Sequence, residues 1–312
     1  MLFDKLFSRL QGVASPGFPP RQCNMSAPIA FMHIPKTSGS SLIVGLRQAI
    51  APRKEIYCLD RVLFGGFRAF DTVAPSERNN IFIDPLTLPS DLDFVAGHIA
   101  FSTLKQRYPS ANHLTLLREP MSRVLSHWLF WRAVPEEYLA LLGSWADYMR
   151  RAHGSLTDFL TCREIACQVD NLSIRMLLWP HRLIPEDDFI DCRNGDALLS
   201  EAATALKQFA FVDVIENPNL QSNLEQWLGR PVPYSQLNET THIPPPLQRP
   251  LHSEITPDAF NFLERRTQID RELWRLVANN RVTGLSVEAL RQHTMLRTVA
   301  RHALLMHKLG PA

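Results

Sequence analysis

The chain has 312 residues, 45% of them apolar and 21% charged, which excludes a disordered or fibrous protein and fits a folded domain with a sizeable core. Its 33 Lys and Arg against 31 Asp and Glu leave a net charge of +2, so no global field steers it onto nucleic acid or an anionic membrane, and any anion site must be local. Five cysteines, an odd number at irregular spacing, argue for reduced thiols over a disulfide framework; Cys162 and Cys167 have no matching Cys/His pair nearby for zinc.

Residues 1–10, MLFDKLFSRL, place Leu2, Phe3, Leu6, Phe7 and Leu10 on one helical face and Asp4, Lys5, Ser8 and Arg9 on the other. The run is too broken for a signal peptide, which needs roughly 7–15 apolar residues. It reads as a docking helix, with weak membrane-surface contact the alternative. Residues 11–26 are rich in turn formers and read as a linker, which sets off an N-terminal segment, 1–26, from the domain that follows.

APIAFMHI (27–34) is an apolar run of strand length, and SSLIVGLRQAI (40–50) spaces Leu42, Ile43, Leu46 and Ile50 as a helix. Further strands are expected at 55–59, 80–83, 93–97 and 113–118, the last followed by Pro120, a favoured first helical position, and by the helical pattern MSRVLSHWLFWRA. From 135 to 208 the chain reads as mostly helical, clearest in 135–152 and 196–209. FAFVDVIE (209–216) reads as one more strand, and residues 217–229 as a helix ended by Gly229. Six prolines make 231–250 an extended loop; 256–280 is a strong amphipathic helix with a break expected near Thr267. Residues 285–309 form a last helix carrying Arg291, Arg297, Arg301 and Lys308 against Glu288, expected as a solvated basic face. The domain is thus 27–283 and the basic helical tail 284–312. Strands separated by helical segments predict an α/β class: a P-loop-like, doubly wound parallel sheet flanked by helices, with ligands at the carboxyl ends of the strands.

Two strand exits carry the chemistry. In HIPKTSGSS a strand ends in a small-residue loop that opens a helix, so free backbone N–H groups and the helix dipole face an anion. Lys36 adds a point charge, and Thr37, Ser38, Ser40 and Ser41 add hydroxyls. The order differs from the nucleoside-triphosphatase loop, in which the lysine follows the second glycine. In LREPMSRVLSHW, Arg118 closes a strand and Ser126 lies about two helical turns on; a guanidinium grips phosphate bidentately.

Together these segments resemble the two cofactor motifs of the sulfotransferases that use 3′-phosphoadenosine 5′-phosphosulfate (PAPS), closest to the Golgi and bacterial carbohydrate type and its 2-O-sulfotransferase group. VAGHIAF (95–101) resembles the Gly-His element of that group, and weaker likeness extends over roughly residues 28–278. The resemblance implies the sulfotransferase fold, PAPS as donor, no metal, and a carbohydrate or glycolipid hydroxyl as acceptor. It implies that Lys36, Thr37, Ser38, Gly39, Ser40 and Ser41 surround the 5′-phosphosulfate, that Arg118 and Ser126 hold the 3′-phosphate, and that His98 is the general base. Lys36 would also stabilise the departing phosphate.

The chain departs from that pattern in having Ser38-Gly39 for two adjacent glycines, Glu119 for aspartate, and Ala96 where a second histidine is common. His113, His127 and His153 read as structural. Trp128, Trp131, Tyr138 and Trp145 read as core ahead of a sugar-stacking surface, and Arg47, Arg53 and Arg68 as solvated or as contacts for an acidic glycan. The expected setting is a bacterial cytoplasm, peripheral to the inner membrane face. The rival readings are a P-loop kinase or nucleoside triphosphatase, and a non-catalytic sugar-binding or interaction module on the same fold.

Overall fold

A computed structural model describes residues 22–233, 240 and 242–307. The N-terminal segment 1–10, most of the linker, most of the 237–242 stretch and Lys308 lie outside them. Six strands form one all-parallel sheet: β1 (Ile29–Met32), β2 (Glu55–Asp60), β3 (Ile81–Phe82), β4 (Phe94–His98), β5 (Asn112–Leu117) and β6 (Phe211–Val214), in the order β3-β2-β4-β1-β5-β6. The α/β class and the flanking helices are as expected. β1 lies centrally, with Ile29 in register with Phe94 of β4 on one side and Asn112 of β5 on the other. The chain runs from β1 to one side and later crosses to β5 on the other, so the carboxyl end of β1 is the switch point at which sheets of this topology open a crevice for ligands.

Alternating strand residues divide the core. Ile29, Phe31, Phe94, Leu114 and Phe211 pack beneath α1 (Gly39–Ile50) and α6 (Leu220–Leu228). Ala30, Met32, Val95, Val212 and Val214 belong to the larger cluster, built with α2 (Phe101–Arg107), α3 (Pro120–Arg132), α4 (Leu172–Leu178), α5 (Gly195–Leu206) and α7 (Pro257–Arg281). Both sheet faces are covered, which is why the strands read as near-continuous apolar runs.

The strand expected at 80–83 shrinks to two residues paired with Leu59 and Asp60 at the edge of the sheet, a short edge that offers little backbone for pairing with another chain. α7 runs unbroken for 25 residues, without the break read at Thr267: the residue is buried among core positions of the helix, and its hydroxyl is satisfied inside it by the Leu263 carbonyl one turn back, so packing overrides the local signal. Residues 136–169 form short helical turns, and α8 (Val287–His307) packs against α3 and α7, burying Leu290, Thr298, His302, Leu305 and Met306. No helix of the described residues is long and apolar enough to cross a membrane.

Candidate active site

The site grows from the end of β1. Beyond Met32 the backbone turns through Pro35-Lys36-Thr37-Ser38 into α1, and two non-glycine residues, Lys36 (φ 70°) and Ser38 (φ 59°), take the left-handed conformation that L-residues adopt only at a cost. Left-handed residues at a helix start can turn free N–H groups toward an anion, so the loop offers a nest of this kind at the start of a 12-residue helix, with the Thr37 N–H itself given to the Ile34 carbonyl at 3.3 Å. Thr37 is buried and donates to the Ile34 carbonyl at 2.8 Å, so its hydroxyl braces the turn. Ser40 is half-buried and Ser41 buried in the first turn of α1. Gly39 is set by contact: a Cβ there would lie 2.0 Å from the His33 ring.

The second exit meets the first directly. Arg118, one residue past β5, donates from Nη1 to the Lys36 carbonyl at 3.1 Å, while its Nε is buried without a partner. Ser126 is half-buried on α3, and one turn further the Phe130 ring lies 4.2 Å below the Lys36 ammonium. Burial, then the charges of Arg118 and Arg301, lower the Lys36 amine to about 8. A cation so placed gains from an anionic ligand.

Carboxylates fix the second exit from behind. Glu119 caps α3 by accepting from the Ser122 amide at 2.7 Å, and its own amide donates to Glu216 Oε1 at 2.8 Å. The other Glu216 oxygen accepts from Trp274 Nε1 at 3.1 Å. Burial lifts the Glu216 carboxyl to about 7, opposed by these bonds and by the Arg118 charge.

His98 closes β4. Gly97 has φ 151°, and a Cβ there would lie 1.8 Å from the Cys58 carbonyl, so only glycine lets β4 pass β2 at this point and deliver the imidazole. Asp60, at the end of β2, accepts from the Ala100 amide and the Thr103 hydroxyl and so secures the chain just past His98. His98 Nδ1 lies 2.6 Å from the His33 carbonyl, an acceptor only, so Nδ1 carries the proton and Nε2 the free lone pair. Burial brings this imidazole down to about 4, against the His33 bond, and it is neutral at physiological pH.

The strand ends thus bring the loop of Lys36, Thr37, Ser38, Gly39, Ser40 and Ser41 together with Arg118, which bonds the Lys36 backbone, and with His98, whose ring lies against the His33 ring that packs on Gly39; Ser126 stands on α3 one turn before the Phe130 ring that carries Lys36. Sequence reasoning missed His33, whose ring stands 4.4 Å from that of His98: β1 supplies a second histidine although Ala96 does not. It also missed Glu216, Phe130 and Arg301. Only Glu216 carried a local signal, as a carboxylate at the end of an apolar strand. The three tryptophans Trp128, Trp131 and Trp145 are core and form no stacking surface, whereas Tyr138 is exposed. Arg47 and Arg68 pair with Glu55 and Glu186. His127 is buried against Trp131. Among the described residues no group of three or more His, Cys, Asp or Glu is arranged to hold a metal.

The arrangement can hold an anion with two charged ends and offers an uncharged imidazole beside it. No known family model matches the chain, and no curated protein matches it.

Proposed function

We propose that the protein is a sulfotransferase that moves a sulfuryl group from PAPS to a hydroxyl of a carbohydrate or glycoconjugate, on a P-loop-like fold of the sulfotransferase type. The observation that carries this reading is the contact between the two strand exits: Arg118 reaches the Lys36 backbone at 3.1 Å, so the nest and the guanidinium address one ligand. The residues fit a donor with phosphates at both ends of its ribose. Arg118 keeps a buried unpartnered Nε, and the Lys36 charge is held at a cost that an anion relieves.

The donor supplies an activated sulfur bonded to a phosphate oxygen. The nest at Lys36–Ser41 orients that group, and Arg118 with Ser126 fixes the 3′-phosphate, which ATP lacks. His98 Nε2 takes the proton of the acceptor hydroxyl as its oxygen bonds to sulfur, and Lys36 neutralises the charge left on the phosphate oxygen as the S–O bond to it breaks. The His33 carbonyl keeps the base in the required tautomer throughout. The products are the sulfated acceptor and adenosine 3′,5′-bisphosphate.

The test is a radiolabelled-donor assay against capsule, lipopolysaccharide and glycolipid acceptors, with calorimetry of adenosine 3′,5′-bisphosphate in parallel. Label transfer with bisphosphate binding is the expected result. Binding without transfer to any acceptor favours the non-catalytic module, and magnesium-dependent ATP binding in its place favours the kinase reading; either refutes the proposal.

A further inference from the structure

The C-terminal helix brings two more cations to this crevice. α8 runs along α3 in the same direction: the Ser122 hydroxyl donates to Met295 Sδ at 3.2 Å, and about two turns later His302 stacks on Trp128 with ring centroids 6.0 Å apart. The α3 segment between and just beyond these contacts holds Ser126 and the Phe130 ring that carries Lys36. Arg297 and Arg301 stand one turn apart on α8 and so share a face. Arg301 donates to the Thr240 carbonyl at 3.2 Å, which ties the proline-rich segment to the helix. Its charge acts on Lys36 and Arg118 alike, and that of Arg297 on Arg118.

Arg291, on the same helix, is different: Glu288 holds it at 2.7 Å. Among the described residues, Lys36, Arg118 and Arg297 form no ion pair. Among the described residues, the acids whose charge acts on Arg118 are Glu216 and Glu119, and both Glu216 oxygens already accept from the Glu119 amide and Trp274. Lys36, Arg118 and Arg297 are thus three cations, from three separate stretches of chain, that no carboxylate of the described residues pairs. An anion is the missing counter-charge.

We infer that α8 is a wall of the anion site: Arg297 and Arg301 bind the same polyphosphorylated ligand as Lys36 and Arg118, and the ligand in turn holds the helix against α3. This rests on the bisphosphate-binding part of the function proposed above. It makes the C-terminal segment a binding element and couples its docking to ligand.

Adenosine 3′,5′-bisphosphate binding to the full chain tests it by calorimetry. The double variant Arg297→Gln/Arg301→Gln should bind about 10- to 100-fold more weakly, the loss expected for charge-assisted hydrogen bonds, and with a shallower salt dependence. Arg291→Gln should bind within about 2-fold of the parent, since that side chain belongs to Glu288. Hydrogen exchange on the unaltered protein gives a readout independent of any variant's folding: saturating bisphosphate should slow the α8 amides. Parent-like affinity in the double variant, an equal loss in Arg291→Gln, or α8 exchange indifferent to bound ligand overturns the inference. Inorganic pyrophosphate run alongside separates it from the donor assignment. A parent protein that binds pyrophosphate but not the nucleoside bisphosphate refutes the donor, and the same variants then decide the role of α8 on pyrophosphate. Binding of neither refutes both.

Discussion

The two strand exits reach one ligand site by different physics. The β1 exit is local and made of backbone: a dozen consecutive residues supply the strand end, the left-handed turn at Lys36 and Ser38, and the helix N-terminus, with no carboxylate among them. The β5 exit is made of side chains from distant places, since the charges of Glu216 after β6, Glu119, and Arg301 and Arg297 of α8 all act on Arg118, and Trp274 of α7 in turn holds Glu216. A backbone nest is specified once the turn forms. A side-chain network holds only if each remote element arrives, so its parts should fail separately.

The largest effect should fall on chemistry and spare both exits. His98→Ala is expected to lower turnover by about 10² to 10⁴ while leaving bisphosphate affinity within about 2-fold of the parent, because the imidazole lies beside the anion grip and outside it. Undiminished turnover would remove His98 from the mechanism. The pH profile of kcat/KM should follow from the same pair of groups: a fall below about 4 as His98 gains a proton, and a fall above about 8 as Lys36 loses one. An alkaline limb unchanged in Lys36→Arg would detach it from Lys36.

Glu216→Gln should break the second exit alone. The glutamine can accept from the Glu119 amide, but its NH2 then faces the Trp274 N–H, a donor against a donor, at a cost of about 1–3 kcal/mol read as a drop in Tm. The sign of its pH effect is fixed. Glu216 titrates near 7 when folded against an ordinary 4.5, so the native state binds the extra proton and stability falls as pH rises across that window. The variant should show a shallower fall; an identical slope and Tm would mean that Glu216 contributes nothing there. The smallest effect belongs to the first exit. Ser38→Gly relieves a left-handed residue and should stabilise the protein by about 1 kcal/mol, with the nest intact. A loss of stability would show that the serine side chain, and not the turn, holds the loop.

This contrast also explains what could be read from the sequence. β1, its loop and α1 are contiguous, and so are β5, Arg118 and α3, so apolar runs and small-residue breaks located them. NIFI looks like any apolar run and so reads as a four-residue strand, whereas pairing with Leu59 and Asp60 limits it to Ile81 and Phe82. Thr267 reads as a break in sequence, but it is buried in the continuous helix, where packing decides. His33 was visible as a residue but not as a neighbour of His98, because only the parallel pairing of β1 and β4 brings them together. The basic face of α8 is amphipathic in the ordinary way, and nothing in its spacing says that it lies along α3.

The bond from Trp274 to Glu216 gives the protein a built-in optical reporter. An indole whose N–H points at a carboxylate beside Arg118 changes its emission when the charge around that carboxylate changes, so ligand binding can be followed in unlabelled protein, with Trp274→Phe, which keeps the other five tryptophans, as the control that should lose the change.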